Sequence, residues 1–348
     1  MKAEMIRLLR ESKDYISGQE LCDRFQVSRT AIWKIMNQLK EEGYVIEAKQ
    51  NKGYRLMESP DSMEAHELKS RICTRWAGGE VSYKKETGST NIDCKQLAAQ
   101  GASHGTLAVA EAQINGRGRR GRSWRSPAGT SIYMSLLCRP DFSPDKAPML
   151  TLVMGLSVAQ AVERYTGLPA KIKWPNDVVV NGKKICGILT EMEMGLETKE
   201  IQYLVIGVGI NVGNGFEEMQ VSGSWEEARR QAFPEELQEV ATSLFLEAGK
   251  KEKKISRAVL VQYVMEAFEK NYELFIKTLD LSLLQENYNA LLVNRDAAVK
   301  VLDPKGEYTG VAKGIDIDGD LLVETEDKAV KKVFAGEVSV RGLYGYTE

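Results

Sequence analysis

The run Gly116-Arg117-Gly118-Arg119-Arg120-Gly121-Arg122-Ser123-Trp124-Arg125 places five arginines and three glycines in ten positions, with no acid between them. An arginine stays protonated in a protein and offers a planar fork of donors, so the run suits phosphate or carboxylate oxygens rather than proton transfer. Its glycines let the backbone approach the same anion and keep the loop adaptable. The string Gly116-x-Gly118-x-x-Gly121 also fits the dinucleotide fingerprint, which requires a strand before it and an apolar helix after it. Leu107 to Ala112 can be that strand, but Ser126-Pro127-Ala128-Gly129 stops any long helix. A solvated basic loop is the remaining alternative, since charge runs are commonly plain surface.

Other polar stretches lie in the same region. Ser89, Thr90, Asn91 and Gln113 are small hydroxyls and amides of the kind that read a polar head group on a small ligand. Gly207 and Gly209 alternate with apolar residues, so a ligand can lie flat on a strand there. Asp177, after Pro175-Asn176, either fixes a turn or handles a proton, and Lys184, after Gly182-Lys183, is either a hairpin charge or a cation facing an anionic transition state. The two histidines, His66 and His104, have no partner at metal-ligand spacing, which argues against histidine catalysis and a zinc site; no metal site is expected. Cys22, Cys73, Cys94, Cys138 and Cys186 form no C-x-x-C pair and read as reduced thiols of a cytoplasmic protein.

These residues need a scaffold. With 348 residues, 43% hydrophobic and 28% charged, the chain has room for two or three domains. A net charge of -2 excludes a generally basic nucleic-acid coat and leaves anion binding to local clusters. Met1-Lys2-Ala3-Glu4 leads straight into an amphipathic pattern, so no signal peptide is expected. The most apolar stretch, 149 to 162, is broken by Thr151, Gly155, Ser157 and Gln160, and no membrane partner is expected.

At the amino terminus, Met5, Ile6, Leu8 and Leu9 open one helix, and Ser17-Gly18-Gln19-Glu20-Leu21 starts a second. Ser28 caps a third that runs to about Glu42 and turns Ile32, Ile35 or Met36, and Leu39 inward. Strands Tyr44 to Ala48 and Tyr54 to Leu56 enclose the basic turn Lys49 to Gly53, making a winged helix-turn-helix. Arg29, Thr30, Trp33, Lys34 and Asn37 then face outward, with Ser28 at the cap and Lys52 in the wing, as donors for a DNA major groove. A protein-interaction module is the alternative. One copy carries little excess positive charge, so a dimer would strengthen DNA binding.

Glu58 to Ser62 reads as a linker. From about Val81 to Leu292, strands at 106–112, 132–138, 172–174, 178–180, 186–191 and 203–208 alternate with helices at 150–165, 235–247 and 256–278, and the charged run Lys250 to Lys254 connects the last two helices. After Asn294, turn signals recur between short strands, as in a small barrel of about five strands. The fold class is α+β multidomain: a winged helix-turn-helix over 1–62, a mixed α/β sheet catalytic domain over 63–294, and an SH3-like β barrel over 295–348.

Taken in order, the arginine loop, Lys173-Trp174-Pro175-Asn176-Asp177 and the stretch from Lys183 to Glu191 resemble the biotin protein ligases. With the winged helix, the chain resembles the bifunctional subclass that is both biotin ligase and biotin operon repressor, over nearly its whole length. The resemblance implies ATP, Mg²⁺ carried with ATP, biotin as substrate, a biotin carboxyl carrier protein such as that of acetyl-CoA carboxylase as acceptor, operator DNA, and a homodimer. It assigns Ser89, Thr90, Asn91 and Gln113 to the biotin ring, and Arg117, Gly118 and Arg119 to biotin or the α-phosphate. Lys184 matches a lysine near the carboxylate and α-phosphate. Arg122, Trp124, Lys173, Asn176, Asn211 and Arg341 match nucleotide-binding positions, and Asp177 an acid associated with transfer. Arg119, Lys184 and Asp177 are the catalytic candidates. The chain departs from the family at Gln26, where a turn glycine is common, and at Trp33. A lipoate-type acyl ligase, or a ligand-sensing repressor without catalysis, are the alternatives.

Overall fold

A computed structural model of the chain describes residues 1–195, 197–249, 255–302, 306–334 and 339–342, the last four as backbone alone. Helices α1 (Lys2–Glu11), α2 (Gly18–Phe25) and α3 (Arg29–Glu41) precede a hairpin of β1 (Val45–Lys49) and β2 (Gly53–Glu58). Ser17 and Ser28 cap α2 and α3 by accepting from Glu20 N and Ala31 N. Between the caps, Gln26 takes φ 54° and ψ 43°, so a side-chain-bearing residue makes the left-handed turn; this costs about 1 kcal/mol relative to glycine. Met5, Ile6, Leu9, Leu21, Ile32, Met36 and Leu39 close a small separate core.

This unit is bolted to the next helix. Helix α4 (Ala65–Arg71) carries Glu67, which is fully buried. Its carboxylate accepts two bonds from Arg10 Nη2, at 2.9 and 3.0 Å, one from Tyr44 Oη at 2.6 Å and one from Arg71 Nε. Arg7 adds bonds to the carbonyls of Ser70 and Ile72 at the end of α4. A buried carboxylate is tolerable only when so fully paired, which fixes the winged helix against α4.

The central sheet comprises β3 (Val81–Thr87), β4 (Leu107–Gln113), β5 (Ser131–Cys138), β6 (Lys171–Lys173), β7 (Asp177–Val180), β8 (Lys183–Met194) and β9 (Ile201–Asn211), ordered β3-β4-β5-β9-β8-β7-β6. Only β3 and β4 run parallel. Because side chains alternate across a strand, Leu107, Leu136, Leu204, Ile206 and Val208 face the large core. That face is covered by α6 (Met149–Thr166) and α10 (Arg257–Thr278), which pack on each other. Each apolar side chain they bury fully is worth roughly 1.5–3 kcal/mol, so this side is rigid. The opposite face is thinly covered. Helix α5 (Thr90–Ala99) packs Cys94 and Ala98 against Ala108, Leu137 and Val205, and the rest is left to the arginine loop.

Strand β8 changes phase once. Val178 pairs with Cys186 and Val179 with Lys184, so Ile185 is an extra residue in β8. Ile185, Cys186 and Ile188 join the large core, while Lys184 shares the thinly covered face with Gly187 and Leu189.

The expected helix at 235–247 is corrected. Glu235–Leu237 is a single 3₁₀ turn followed by turns to Val240, and Ala241 makes an isolated parallel bridge to Lys184, with Lys184 N donating to Val240 O and Thr242 N to Lys184 O, at 2.8 and 2.9 Å. Ser243 then caps a short α9 (Leu244–Ala248). Pairing with β8 and a serine cap override the helical periodicity. Helices α7 (Phe216–Ser222) and α8 (Trp225–Ala232), like α5, lie where the sequence pattern predicts no helix. The run 250–254 lies outside the described residues.

Helix α11 (Gln285–Leu291) leads to an antiparallel sheet of β10 (Ala298–Leu302), β11 (Tyr308–Ile315), β12 (Leu321–Glu324), β13 (Val330–Val333) and β14 (Ser339–Gly342), ordered β13-β12-β11-β10-β14. Among the described residues β13 and β14 are its unpaired ends, so the expected barrel is not closed. Val299, Val301, Ala312, Leu321 and Val333 share the large core, and Trp174 Nε1 donates to Gly319 O at 3.1 Å. No helix among the described residues is long and apolar enough to cross a membrane.

Candidate active site

A cleft opens on the thinly covered face. Its floor is Gly187 to Leu189 of β8 and Gly207 to Gly209 of β9; its walls are Ser89, Thr90 and Asn91 at the start of α5, Gln113 at the end of β4, and Asn176 and Lys184. Arg117, Gly118, Arg119 and Trp124 close it from above.

The floor glycines make room. A Cβ on Gly207 would stand 2.1 Å from Asn91 Oδ1, and one on Gly209 would stand 2.7 Å from the Trp124 ring. Both distances lie inside van der Waals contact. Trp124 therefore rests directly on the strand, its indole Nε1 buried without a partner among the described residues, with Lys184 Nζ 5.2 Å from its ring centre. About 60 Å³ of space remains, enough for a few waters. A larger ligand must move the Trp124 ring off the strand.

The walls form one hydrogen-bonded chain. Thr90 N and Oγ1 donate to Gln113 Oε1 at 2.9 and 3.2 Å, Gln113 Nε2 donates to Ser126 Oγ at 2.9 Å, and Ser126 Oγ donates to Trp124 O at 3.0 Å. Asn91 Nδ2 donates to Glu191 Oε2 at 2.6 Å, and its Oδ1 accepts from Ser135 Oγ at 2.6 Å. Asn91 is thus committed to protein partners and shapes the wall. Burial works to raise the Glu191 carboxyl, but bonds from Lys95 and Asn91 outweigh it and hold the group below its usual range.

At the other end, Lys184 Nζ lies 2.6 Å from Asp177 Oδ1. Asn176 Nδ2 donates to the same Oδ1 at 3.1 Å, and Arg119 Nη1 donates to Asn176 Oδ1 at 3.1 Å. Burial, then the neighbouring Arg120, push the Arg119 guanidinium below its ordinary range, and Asp177 opposes them. An arginine remains charged through such shifts, so two cations and one carboxylate converge here.

The other expected site residues fall outside this lining. Lys173 is buried in β6 directly opposite Asp177. Asn211 is buried and donates Nδ2 to Thr242 O at 3.1 Å. Arg122 is exposed, its carbonyl accepting from Gly118 N at 2.7 Å within the loop. Arg341 is in β14 opposite Lys300, and its side chain lies outside what is described. Ser126, Ser135 and Glu191 were not assigned roles from sequence. A lone buried serine in the apolar strand Ile132 to Cys138 is the signal that could have found Ser135.

On the winged helix, Ser28, Arg29, Thr30, Trp33, Lys34 and Lys52 are exposed and Asn37 is half-buried. Trp33 is 57% exposed, a large aromatic surface with no use in the core. Arg29 Nη2 donates to Gln19 Oε1 at 2.9 Å, and Lys52 Nζ lies 5.7 Å from the Tyr15 ring centre.

Three family models match: the HTH domain at residues 2–55, the biotin/lipoate A/B protein ligase family at 80–211 and the biotin protein ligase C-terminal domain at 297–341. The bifunctional ligase/repressor BirA of Bacillus subtilis is 36% identical over 343 residues, covering 98% of each chain. The protein of that name from Escherichia coli is 30% identical, covering 94% of each. A solved structure of the biotin protein ligase of Aquifex aeolicus in complex with biotin and ATP aligns with TM-score 0.61 at 30% identity, over 76% of this chain and 99% of that one.

Proposed function

Because the chain belongs to the biotin protein ligase family, in its bifunctional ligase/repressor branch, we propose that it activates biotin with ATP to biotinyl-5'-AMP and pyrophosphate. It then transfers biotin to a lysine of a biotin carboxyl carrier protein and, bound to the adenylate, represses biotin genes as a dimer. The regions 1–62, 63–294 and 295–348 are its DNA-binding, catalytic and carboxy-terminal domains. One observation carries the catalytic reading: Lys184, Arg119, Asn176 and Asp177 converge at one end of a cleft whose other end is lined by Ser89, Thr90 and Gln113.

In the first step, a carboxylate oxygen of biotin attacks the α-phosphorus and pyrophosphate leaves. Two anions must meet, and the fixed charges of Lys184 and Arg119 lower the repulsion in a site that Trp124 and the loop screen from water. Lys173, Asn211, Arg122 and Arg341 remain proposed nucleotide contacts, reached when the loop and carboxy-terminal segment engage ATP. Mg²⁺ brought in with ATP would neutralise charge on the triphosphate. Among the described residues, the group able to share an ion is Glu42, Glu64 and His66, none of which lines the cleft. In the second step, the amine of the acceptor lysine attacks the acyl carbon, AMP leaves with the bonding pair, and Asp177 takes the proton.

Purified protein should catalyse biotin-dependent exchange of pyrophosphate into ATP. Absence of exchange in protein that binds biotin would refute the enzymatic reading, and lipoate supporting the exchange in place of biotin would move the substrate to the other branch of the matched family. The loop role is tested by Arg119→Ala, which should release preformed biotinyl-AMP at least about tenfold faster, as expected for loss of a charge-assisted bond to a bound anion. A dissociation rate equal to wild type would show that Arg119 does not retain the intermediate.

For the winged helix, Lys34→Ala and Lys52→Ala should each weaken binding to a duplex selected from a random DNA pool. Each should lower the slope of log affinity against log salt by about one and leave biotin transfer unchanged. A loss of transfer in either variant would contradict this division of labour. The dimer is tested by sedimentation with and without biotin and ATP.

A further inference from the structure

Arg257 is buried, yet it is the first residue of α10, where a cation meets the positive end of the helix dipole. Position alone disfavours it, so its partners must explain it. Its Nε donates to Asp61 Oδ2 at 2.9 Å, its Nη2 to Asp61 O at 3.1 Å, and its backbone N to Asp61 Oδ1 at 2.9 Å. Its Nη1 donates to Glu111 Oε1 at 2.6 Å and to Ser131 O at 3.2 Å. Asp61 belongs to the linker behind the winged helix. Glu111 lies two residues before Gln113, and its Oε1 also accepts from Gly129 N at 2.8 Å.

The arginine loop leaves the sheet after Gln113 and returns through Ser126 to Ser131. Glu111 therefore holds both roots, one by its own strand and the other through Gly129. A single guanidinium joins that carboxylate to the linker. We propose that Arg257 is a positioning residue that couples the ligand-covering loop to the winged-helix linker, so that ligand capture stiffens the linker and the seated linker favours ligand capture. Such coupling is reciprocal by linkage. The proposal rests on the ligase reading only for the identity of the ligand.

The test uses the full chain and reads hydrogen exchange of residues 59–64 with and without biotin and ATP. Wild type should show at least about fivefold slower exchange there on adding ligand, and Asp61→Asn and Glu111→Gln should each reduce that difference to less than about twofold. Glu111→Gln should also raise the KM for biotin about tenfold with kcat changed less than about twofold, since it loosens the roots on which the loop re-closes over bound biotin. Arg257→Lys, which keeps the charge and one donor, should retain part of the response. If Glu111→Gln does not fold, Asp61→Asn in the linker decides.

A merely structural role would lower the melting temperature of these variants and leave the ligand-induced difference at its wild-type size; that result overturns the coupling. A wild-type chain that binds biotin with no response at 59–64 overturns it too. A wild-type chain that binds no biotin overturns the ligase reading as well.

Discussion

Lys184→Gln is expected to slow biotin-dependent pyrophosphate exchange about 10²- to 10³-fold, the usual effect of removing one preorganised donor at a developing anion, with biotin affinity changed only a few-fold. Lys184 is held at one spot by Asp177, 2.6 Å away, beside the Trp124 ring. Its charge is therefore aimed before substrate arrives. Glutamine is of similar length and keeps a donor but loses the charge. It cannot offset the approach of a carboxylate to a phosphate. Lys184→Arg should not rescue the rate, because the broad planar fork does not fit where one ammonium meets one carboxylate oxygen. Single-turnover adenylation measured apart from equilibrium biotin binding checks both halves. Equal losses in the two would mean that Lys184 only shapes the biotin seat.

Asp177→Asn is expected to separate the two steps. Transfer from preformed biotinyl-AMP to a carrier domain should fall about 10²- to 10⁴-fold, the range general-base catalysis supplies, while adenylation falls less. Asparagine keeps the shape and one acceptor, so Asn176 retains its partner, but it cannot take a proton. Raising the pH should recover part of the transfer rate, because a larger fraction of acceptor lysines is already neutral. The complication is Lys184, whose counter-ion disappears in the same variant. If transfer and adenylation drop by the same factor and pH restores neither, Asp177 acts through Lys184 and is not the base.

The sequence reading succeeds where local rules act alone and weakens where tertiary contacts decide. Ser28 and the apolar spacing of Ile32, Ile35, Met36 and Leu39 mark α3 because capping and periodicity are local. The arginine loop is legible as composition. Helix α5 is not, because it buries Thr90, Asn91 and Asp93 together with Cys94 and so lacks an apolar stripe. At 235–247 the periodicity points to a helix, but β8, far away in sequence, claims Ala241 through Lys184. The same logic hides Ser135 and Glu191, ordinary residues until folding brings each to Asn91. Ligand-facing residues without charge clusters or glycines carry little local signal, since their meaning lies in a partner elsewhere in the chain.

The extra residue at Ile185 makes length itself a part of the chemistry. A strand counts in twos, and a regular count would send Lys184 the same way as Cys186 and Ile188, into hydrocarbon. One residue out of step lets a single strand serve two solvents, an apolar one behind the sheet and an ionic one in front. Loops around this site can lengthen or shorten at small cost. In β8, removing Ile185 would leave Lys184, Gly187 and every other cleft residue present and still turn the ammonium away from the substrate.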